Sequence, residues 1–338
     1  MKFGVFDHLD HSGTSIGELF EQRLQLIEAY DRAGIYCYHL AEHHATPLGM
    51  SPSPSVFLAA VAQRTKRLLF GPLVYTLAFY HPLRLAEEIC MLDHLSNGRF
   101  QLGVGRGVSP IELQYYGVEM PKAQPIYLEA YSIIMKALTA KTLTHEGEFF
   151  QFHDVPIHMH PLQRPHPPLW YGLGNPGGVA WVARNRINSV SLGPPPMVRV
   201  ITDRYREAWA TLGHDPAQMP LMGLLRHVVV ADTDAEALAT ARRAYARYHA
   251  SFWYLWNNHN KSGAQPPYAV YPASFDELMG RGQAIAGSPD TVRTMIEAQM
   301  TAAGTTYLLL DLAFGEMKHE ESLRSLDLLA RHVMPALA

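Results

Sequence analysis

A chain of 338 residues, 48% apolar and 17% charged, can fill one large core, and its length suits an elaborated barrel of eight strand–helix pairs. A net charge of −3 with no basic face argues against nucleic acid as a partner. No run approaches the ~18 uninterrupted apolar residues that a membrane helix needs, and the opening Met1-Lys2-Phe3-Gly4-Val5-Phe6 reads as a strand without the long apolar region of a signal peptide. Cys37 and Cys90 fall inside a predicted strand and a predicted helix, as buried free thiols of a reducing cytoplasm would.

Strand and helix signals alternate from the start. A short apolar strand over 3–8 precedes a helix over 16–33, which carries Leu19, Phe20, Leu24, Ile27 and Tyr30 at helical spacing and stops at Gly34. The spacing then predicts a strand over 35–40, a helix over 56–65, a strand over 68–76 and a helix over 83–95 that ends at Ser96-Asn97-Gly98. A fourth strand over 100–104 and a fourth helix over 127–138 follow.

The stretch 144–168, rich in His, Pro and aromatics, breaks this rhythm and reads as an excursion, in the form of a hairpin. The alternation resumes with strands over 169–173, 189–192 and 221–230 and helices over 179–184, 198–212 and 235–250. A second excursion, 252–285, carries Trp253, Tyr254, Trp256, Tyr268 and Tyr271 before a helix over 289–302, a strand over 306–312 and a helix over 321–334.

Alternating units of this kind imply a parallel sheet, and eight of them a closed (β/α)8 TIM barrel, one domain over 1–338. The insertions fall after the fourth helix and between the seventh and eighth strands. Loops longer than about 12–15 residues are usually functional or disordered, so both excursions are candidate lids. The aromatic one, with Trp253 and Trp256, is the better candidate to line a cavity for an apolar substrate, and a plain packing role fits it equally.

Chemistry in such a barrel gathers at the carboxyl ends of the strands. The second strand delivers Ala41-Glu42-His43-His44, and neighbouring residues point to opposite faces, so one of the two histidines is expected at the mouth. The fourth delivers Gly103-Val104-Gly105-Arg106-Gly107, where glycines admit a flat or anionic ligand and the arginine suits phosphate or carboxylate.

The fifth delivers Gly172-Leu173-Gly174-Asn175-Pro176-Gly177-Gly178, which matches the dinucleotide fingerprint. The next strand ends Ser191-Leu192-Gly193-Pro194 with no acid before Asp203, so this helix start is read as a seat for a single phosphate rather than NAD. A metal-dependent hydrolase is a weaker alternative. His8, His11 and Asp311 sit at strand ends, but the fifth and sixth strands offer no ligand.

Together these residues resemble the bacterial-luciferase-like flavin monooxygenase family. The resemblance rests on Ala41-Glu42-His43-His44, His81-Pro82-Leu83-Arg84, the stretch Leu92-Asp93-His94-Leu95-Ser96-Asn97-Gly98-Arg99-Phe100, and Gly103-Val104-Gly105-Arg106-Gly107, with Ile285-Ala286-Gly287-Ser288-Pro289 and Val333-Met334-Pro335 near the end. It implies a TIM barrel and His43 as the catalytic histidine, with Glu42 or a neighbour fixing its tautomer. It further implies Gly105 near the flavin ring, Arg106 near the ribityl-phosphate tail, a non-prolyl cis peptide at Leu73-Val74 under the ring, and Gly174, Asn175, Gly177 and Gly178 at the phosphate. Where relatives often carry an arginine before the fourth helix, this chain has Gln124-Pro125-Ile126, with Lys122 as the possible substitute.

The implied reaction uses reduced FMN and O2 to oxygenate a small apolar aldehyde- or ketone-like substrate through a flavin hydroperoxide. No segment reads as a nicotinamide-binding domain, so a separate flavin reductase is expected to supply reduced FMN. The family also implies a homodimer through the second and third helices, where Ala59, Ala60 and Val61 allow close packing of helices and are equally consistent with packing on the barrel. The same barrel could serve the deazaflavin F420, whose longer acidic tail would favour more cations than Arg106 and Lys122, or a flavin-binding relative without catalysis.

Overall fold

The computed structural model describes residues 1–11, 13–261, 266 and 271–337. Among them, twelve strands are β1 (Lys2–Asp7), β2 (Cys37–Leu40), β3 (Leu69–Pro72), β4 (Tyr75–Thr76), β5 (Leu102–Gly105), β6 (Thr142–Glu146), β7 (Gln151–Pro156), β8 (Leu169–Gly172), β9 (Asn188–Ser191), β10 (Met222–Val230), β11 (Ala284–Gly287) and β12 (Tyr307–Asp311). The parallel sheet runs β3-β2-β1-β12-β10-β9-β8-β5-β4, with β11 added to β10. A bridge between Phe70 and Phe100 brings β3 beside the start of β5 and rolls the sheet into a barrel.

Two residues separate β3 from β4, so the pair reads as one interrupted staircase of the barrel wall. Strands buried on both faces read as continuous apolar runs. Every residue of β10 and β12 is buried accordingly, and their register sets Gly223 beside Tyr307. The interior is plugged by Phe6, Trp170, Val190, Leu225, Tyr307 and Leu309. His39 Nε2 shares a hydrogen bond of 3.0 Å with the Tyr307 hydroxyl, and Trp170 Nε1 donates to Gln101 Oε1 at 3.0 Å, which gives these four buried atoms a partner inside the plug. Gly103 allows β5 to press on the third strand: a Cβ there would stand 2.0 Å from the Pro72 carbonyl oxygen.

Helices wrap the outside, and local chemistry sets their ends. Ser15 caps the helix Ile16–Ala33 by accepting from Glu18 N–H at 3.3 Å, and Gly34 closes it at φ 79°. The helix Met120–Ala137 starts ahead of the expected 127 and carries Pro125 in its second turn, where the missing N–H removes one helical hydrogen bond.

The structure corrects the sequence reading in two places. The amphipathic segment expected as the seventh outer helix, 235–250, forms the helix Asp234–Phe252 and crosses the carboxyl ends of the strands instead. Tyr248 sets its ring 5.4 Å from His8 beyond β1, and a Cβ on Gly315 beyond β12 would lie 1.8 Å from the Ala244 carbonyl oxygen. The outer position belongs to the helix Pro289–Ala303, which follows β11, a strand the sequence reading left inside an excursion. Helical periodicity reports that one face is buried, but not whether it lies against the barrel wall or across its mouth.

The other correction concerns the stretch 144–168. β6 and β7 pair antiparallel there as a hairpin, but it lies outside the helical layer rather than over the mouth. Phe150 and Phe152 meet His81, Glu129 accepts from the N–H groups of Phe149 and Phe150, and Cys90 donates to the Met159 carbonyl. Within 252–285 the described residues form the helices Tyr254–His259 and Phe275–Gly280, and Tyr268 lies outside the described residues.

Candidate functional site

Beyond β2 the chain runs through Glu42, His43 and His44 and then reverses at Ala45, whose φ of 54° is left-handed. This places His43 at the mouth with Nδ1 at 3.3 and 3.4 Å from the two carboxylate oxygens of Glu112. Glu112 Oε1 also accepts the His44 backbone N–H at 2.6 Å. Glu112 sits on the short helix Pro110–Tyr115, whose cap, Ser109, accepts from the Glu112 N–H at 3.2 Å. The His43 ring stacks on His8 with centroids 5.5 Å apart. Gly49 backs the ring closely, since a Cβ there would lie 2.9 Å from His43 Cβ.

With Nδ1 committed to a carboxylate, Nε2 is the nitrogen left to act, and the side chain is 18% exposed. Burial by itself lowers the His43 pKa, but the charge and hydrogen bond of Glu112, helped by Glu42, outweigh it and raise the value. Burial likewise pushes Glu112 up, and the charge and hydrogen bond of His43 with the His44 N–H bring it below its usual range. Glu112→Gln removes the charge that holds the imidazolium and leaves burial to dominate. The His43 titration is therefore expected to move to lower pH in that variant, and histidine NMR would follow it; an unmoved titration would separate the two residues.

Glu42 does something other than expected. Its Oε1 accepts from Nε2 of His44 at 2.8 Å, not from His43, and its Oε2 accepts the Thr76 N–H at 2.9 Å. His44 Nδ1 in turn accepts from the Tyr116 hydroxyl at 2.7 Å. Burial raises the Glu42 pKa, opposed by the bonds from His44 and Thr76. Because side chains alternate direction along an extended segment, Glu42 and His44 share one side and His43 takes the other. The group that fixes the His43 tautomer is Glu112, 69 residues away.

The groove expected to hold a cofactor follows from three neighbouring strand ends. The Leu73–Val74 peptide is cis, at the position the resemblance implied. Gly105 packs directly on Val74, because a Cβ there would stand 2.3 Å from Val74 Cγ2. Arg106 Nε donates to the Gly107 carbonyl at 3.3 Å, and its charge opposes the burial that raises the Tyr171 phenol on β8. β5 and β8 are adjacent, so Arg106 and the turn beyond β8 share one side of the mouth. In that turn Asn175 Oδ1 accepts the Gly177 N–H at 2.9 Å, and Gly174, Asn175 and Gly177 are exposed. Gly178 leads into the helix Val179–Arg184. An exposed glycine turn at a helix start, an arginine and the close-packed Gly105–Val74 wall fit a flat ring with a phosphate tail.

The remaining expected residues stand apart from this groove. Lys122 is exposed and pairs with Glu119 at 3.2 Å, one turn back on its own helix. Trp253 is 1% exposed and packs in the core of the crossing helices, with Phe252 at 5.0 Å and Phe275 in the same cluster. Trp256 is partly buried on that cluster. A long aromatic segment reports burial, and here burial is spent on fastening the helices over the mouth.

Beneath His43 lies a buried polar layer that sequence reasoning recognised only as scattered strand-end residues. His227 approaches Asp311 to 3.4 Å without an aligned hydrogen bond, and its ring meets Tyr248 at 4.5 Å. Burial, aided by Arg226, pushes His227 down to about 3, and burial with Asp10 and Asp7 holds Asp311 well above the usual carboxylate range. His227 is thus neutral at pH 7. Alongside, Arg23 pairs with Asp7 at 3.2 Å and donates to the Ala313 carbonyl at 2.8 Å. The available signal was the run Phe6-Asp7-His8 at the first strand end, whose polar residues follow an apolar strand.

Comparison with known proteins fits this geometry. Residues 1–307 match the luciferase-like monooxygenase family. The chain is 42% identical over 323 residues to the uncharacterized protein y4wF of Sinorhizobium fredii, covering 96% of this chain and 93% of that protein. It is 25% identical to the oxygenase component of the flavin-dependent trigonelline monooxygenase of Acinetobacter baylyi, over 100% of this chain and 96% of that one. The crystal structure of monooxygenase RslO1 from Streptomyces bottropensis superposes with a TM-score of 0.89 at 27% identity, covering 100% of both chains. The chain belongs to the luciferase-like monooxygenase family and is an oxidoreductase.

Proposed function

We propose that this protein is the oxygenase of a two-component monooxygenase that uses reduced FMN and O2 to oxygenate a small, apolar, aldehyde- or ketone-like molecule. The observation that carries the reading is the His43–Glu112 pair at the mouth, beside the strand ends where Gly105 packs directly on Val74. Bound reduced FMN would supply the electrons that activate oxygen. The chain's part is to orient, exclude water and hydrogen-bond. His43 Nε2 serves as the donor at the reacting edge, held in one tautomer by Glu112. Leu73, Val74 and Gly105 form the seat of the ring, and Arg106 with Gly174, Asn175, Gly177 and Gly178 holds the phosphate. The helix Asp234–Phe252 shields the mouth from water.

The named relative from Acinetobacter baylyi is an oxygenase component, which supports a separate reductase as the source of reduced FMN. FMN is favoured over F420 because Lys122 is neutralised by Glu119, which leaves Arg106 as the cation of the groove among the described residues. For a homodimer, the support is the exposed apolar Val56, Met91 and Leu95 on the outer sides of the helices Pro54–Arg64 and Pro82–Leu95. Val61, expected at that face, is fully buried against the barrel, so Val56 takes its place beside Ala59 and Ala60. No helix of the described residues is long and apolar enough to cross a membrane, and Cys37 and Cys90 are free and buried, which suits a cytoplasmic location.

The deciding experiment titrates the purified protein with oxidised and reduced FMN and F420 and follows the spectra after oxygen is admitted. Arg106→Ala is expected to weaken FMN roughly tenfold or more, as loss of a charge-assisted phosphate contact does. Lys122→Ala is expected to weaken it less, because Lys122 must first leave Glu119; unchanged affinity would take Lys122 out of the site. Tighter binding of F420 than of FMN would overturn the cofactor assignment.

A further inference from the structure

Away from the groove, a cavity of about 620 Å³ opens between His11, the loop 45–50 and the last turns of the helix Asp234–Phe252. That volume lies in the range of small-molecule sites. Ala45, Pro47, Met50 and Ala250 make its walls mostly apolar, and Arg247 and His11 stand among them. The helix carries three arginines, and two are spoken for. Arg242 clasps Asp276 at 2.9–3.0 Å, and Arg243 holds Glu321 at 2.6–2.8 Å. Arg247, the one that faces the cavity, has no ion pair or hydrogen bond among the described residues, and neither does the His11 side chain.

A guanidinium unpaired among the described residues and an imidazole, both lining a mostly apolar cavity, match an amphipathic anion. We propose that this cavity is a second binding site, for a monocarboxylic acid with an apolar body, whose carboxylate meets Arg247 and His11 while its chain lies along Pro47 and Met50. A planar fork of N–H donors pairs with a carboxylate through two parallel hydrogen bonds, which an ammonium or a hydroxyl ligand cannot accept. The site is one loop away from the flavin groove. Gly49 of that loop backs onto His43, while Ala45, Pro47 and Met50 turn to the cavity. The proposal stands on the cavity and on Arg247, and does not require flavin chemistry.

The test is calorimetric titration of the full chain, free of flavin, with decanoate below its micelle concentration and with decanol below its solubility limit. Decanoate is expected to bind saturably, at least roughly tenfold more weakly to Arg247→Gln. Arg247→Lys, which keeps the charge without the fork, is expected to fall between the two. Decanol is expected to bind the wild type and Arg247→Gln alike, and Ala250→Trp to abolish decanoate binding by filling the chamber. FMN titration of each variant reports that the barrel is intact, and FMN is expected not to displace decanoate. Equal decanoate affinity for the wild type and Arg247→Gln, absence of saturable binding, or displacement by FMN would each overturn the site. Failure of the wild type to bind FMN would instead strike the proposed function and leave this one standing.

Discussion

Replacing His43 by alanine is expected to leave flavin affinity near its wild-type value and to lower the rate of substrate oxygenation by about 10²–10⁴-fold, the range of a positioned hydrogen-bonding or acid–base group. The retention follows from where the proposed binding contacts lie. Arg106, the Gly174–Gly178 turn and the Val74 floor are on other strands, and none of them depends on the imidazole. The loss follows from the Glu112 arrangement, which commits Nδ1 and leaves Nε2 as the aimed nitrogen. Single-turnover mixing of flavin-loaded variant with oxygen and substrate would separate the two effects. Full oxygenation by His43→Ala would remove the residue from the chemistry. A loss of flavin together with activity would make it a binding residue instead.

Arg23→Met is expected to cost about 3–5 kcal/mol of folding stability, the range for removing one partner of a buried ion pair. Arg23 lies 7% exposed on the helix Ile16–Ala33, between the first strand and the loop beyond β12. It meets Asp7 at 3.2 Å and donates to the Ala313 carbonyl at 2.8 Å, and Tyr38 donates to the same Asp7 at 2.8 Å. Asp10, buried beside them and accepting the Gly315 N–H, is already pushed up to about 7 by burial, with Arg23 opposing that rise. Without the guanidinium, Asp7 is a buried charge without a counter-ion. Urea unfolding at pH 7 would read the loss. The double variant with Asp7→Asn is expected to recover part of it, because the stranded charge is gone. Unchanged stability in Arg23→Met would mean that solvent reaches this layer.

The positions of the barrel strands and the glycine turns at their ends were legible because their signals are local. A run of apolar residues buried on both faces makes β12 recognisable within its own five residues, and Gly34 ends its helix through its own φ of 79°. Ala41-Glu42-His43-His44 and Gly103-Val104-Gly105-Arg106-Gly107 could likewise be placed at the mouth from strand direction alone.

What the sequence by itself determined is therefore the alternation of strand and helix, the parallel barrel, and which strand ends carry histidine, arginine and exposed glycine N–H groups. Tertiary structure decided the partners. It gave His43 to Glu112 rather than Glu42, laid the helix Asp234–Phe252 across the mouth, spent Trp253 on packing, and buried His227 beside Asp311. The physical reason is range. Capping, periodicity and turn chemistry act within a few residues, whereas a carboxylate 69 residues from its histidine, or an arginine 290 residues from the carbonyl it binds, is chosen only when the closed barrel brings both to one end.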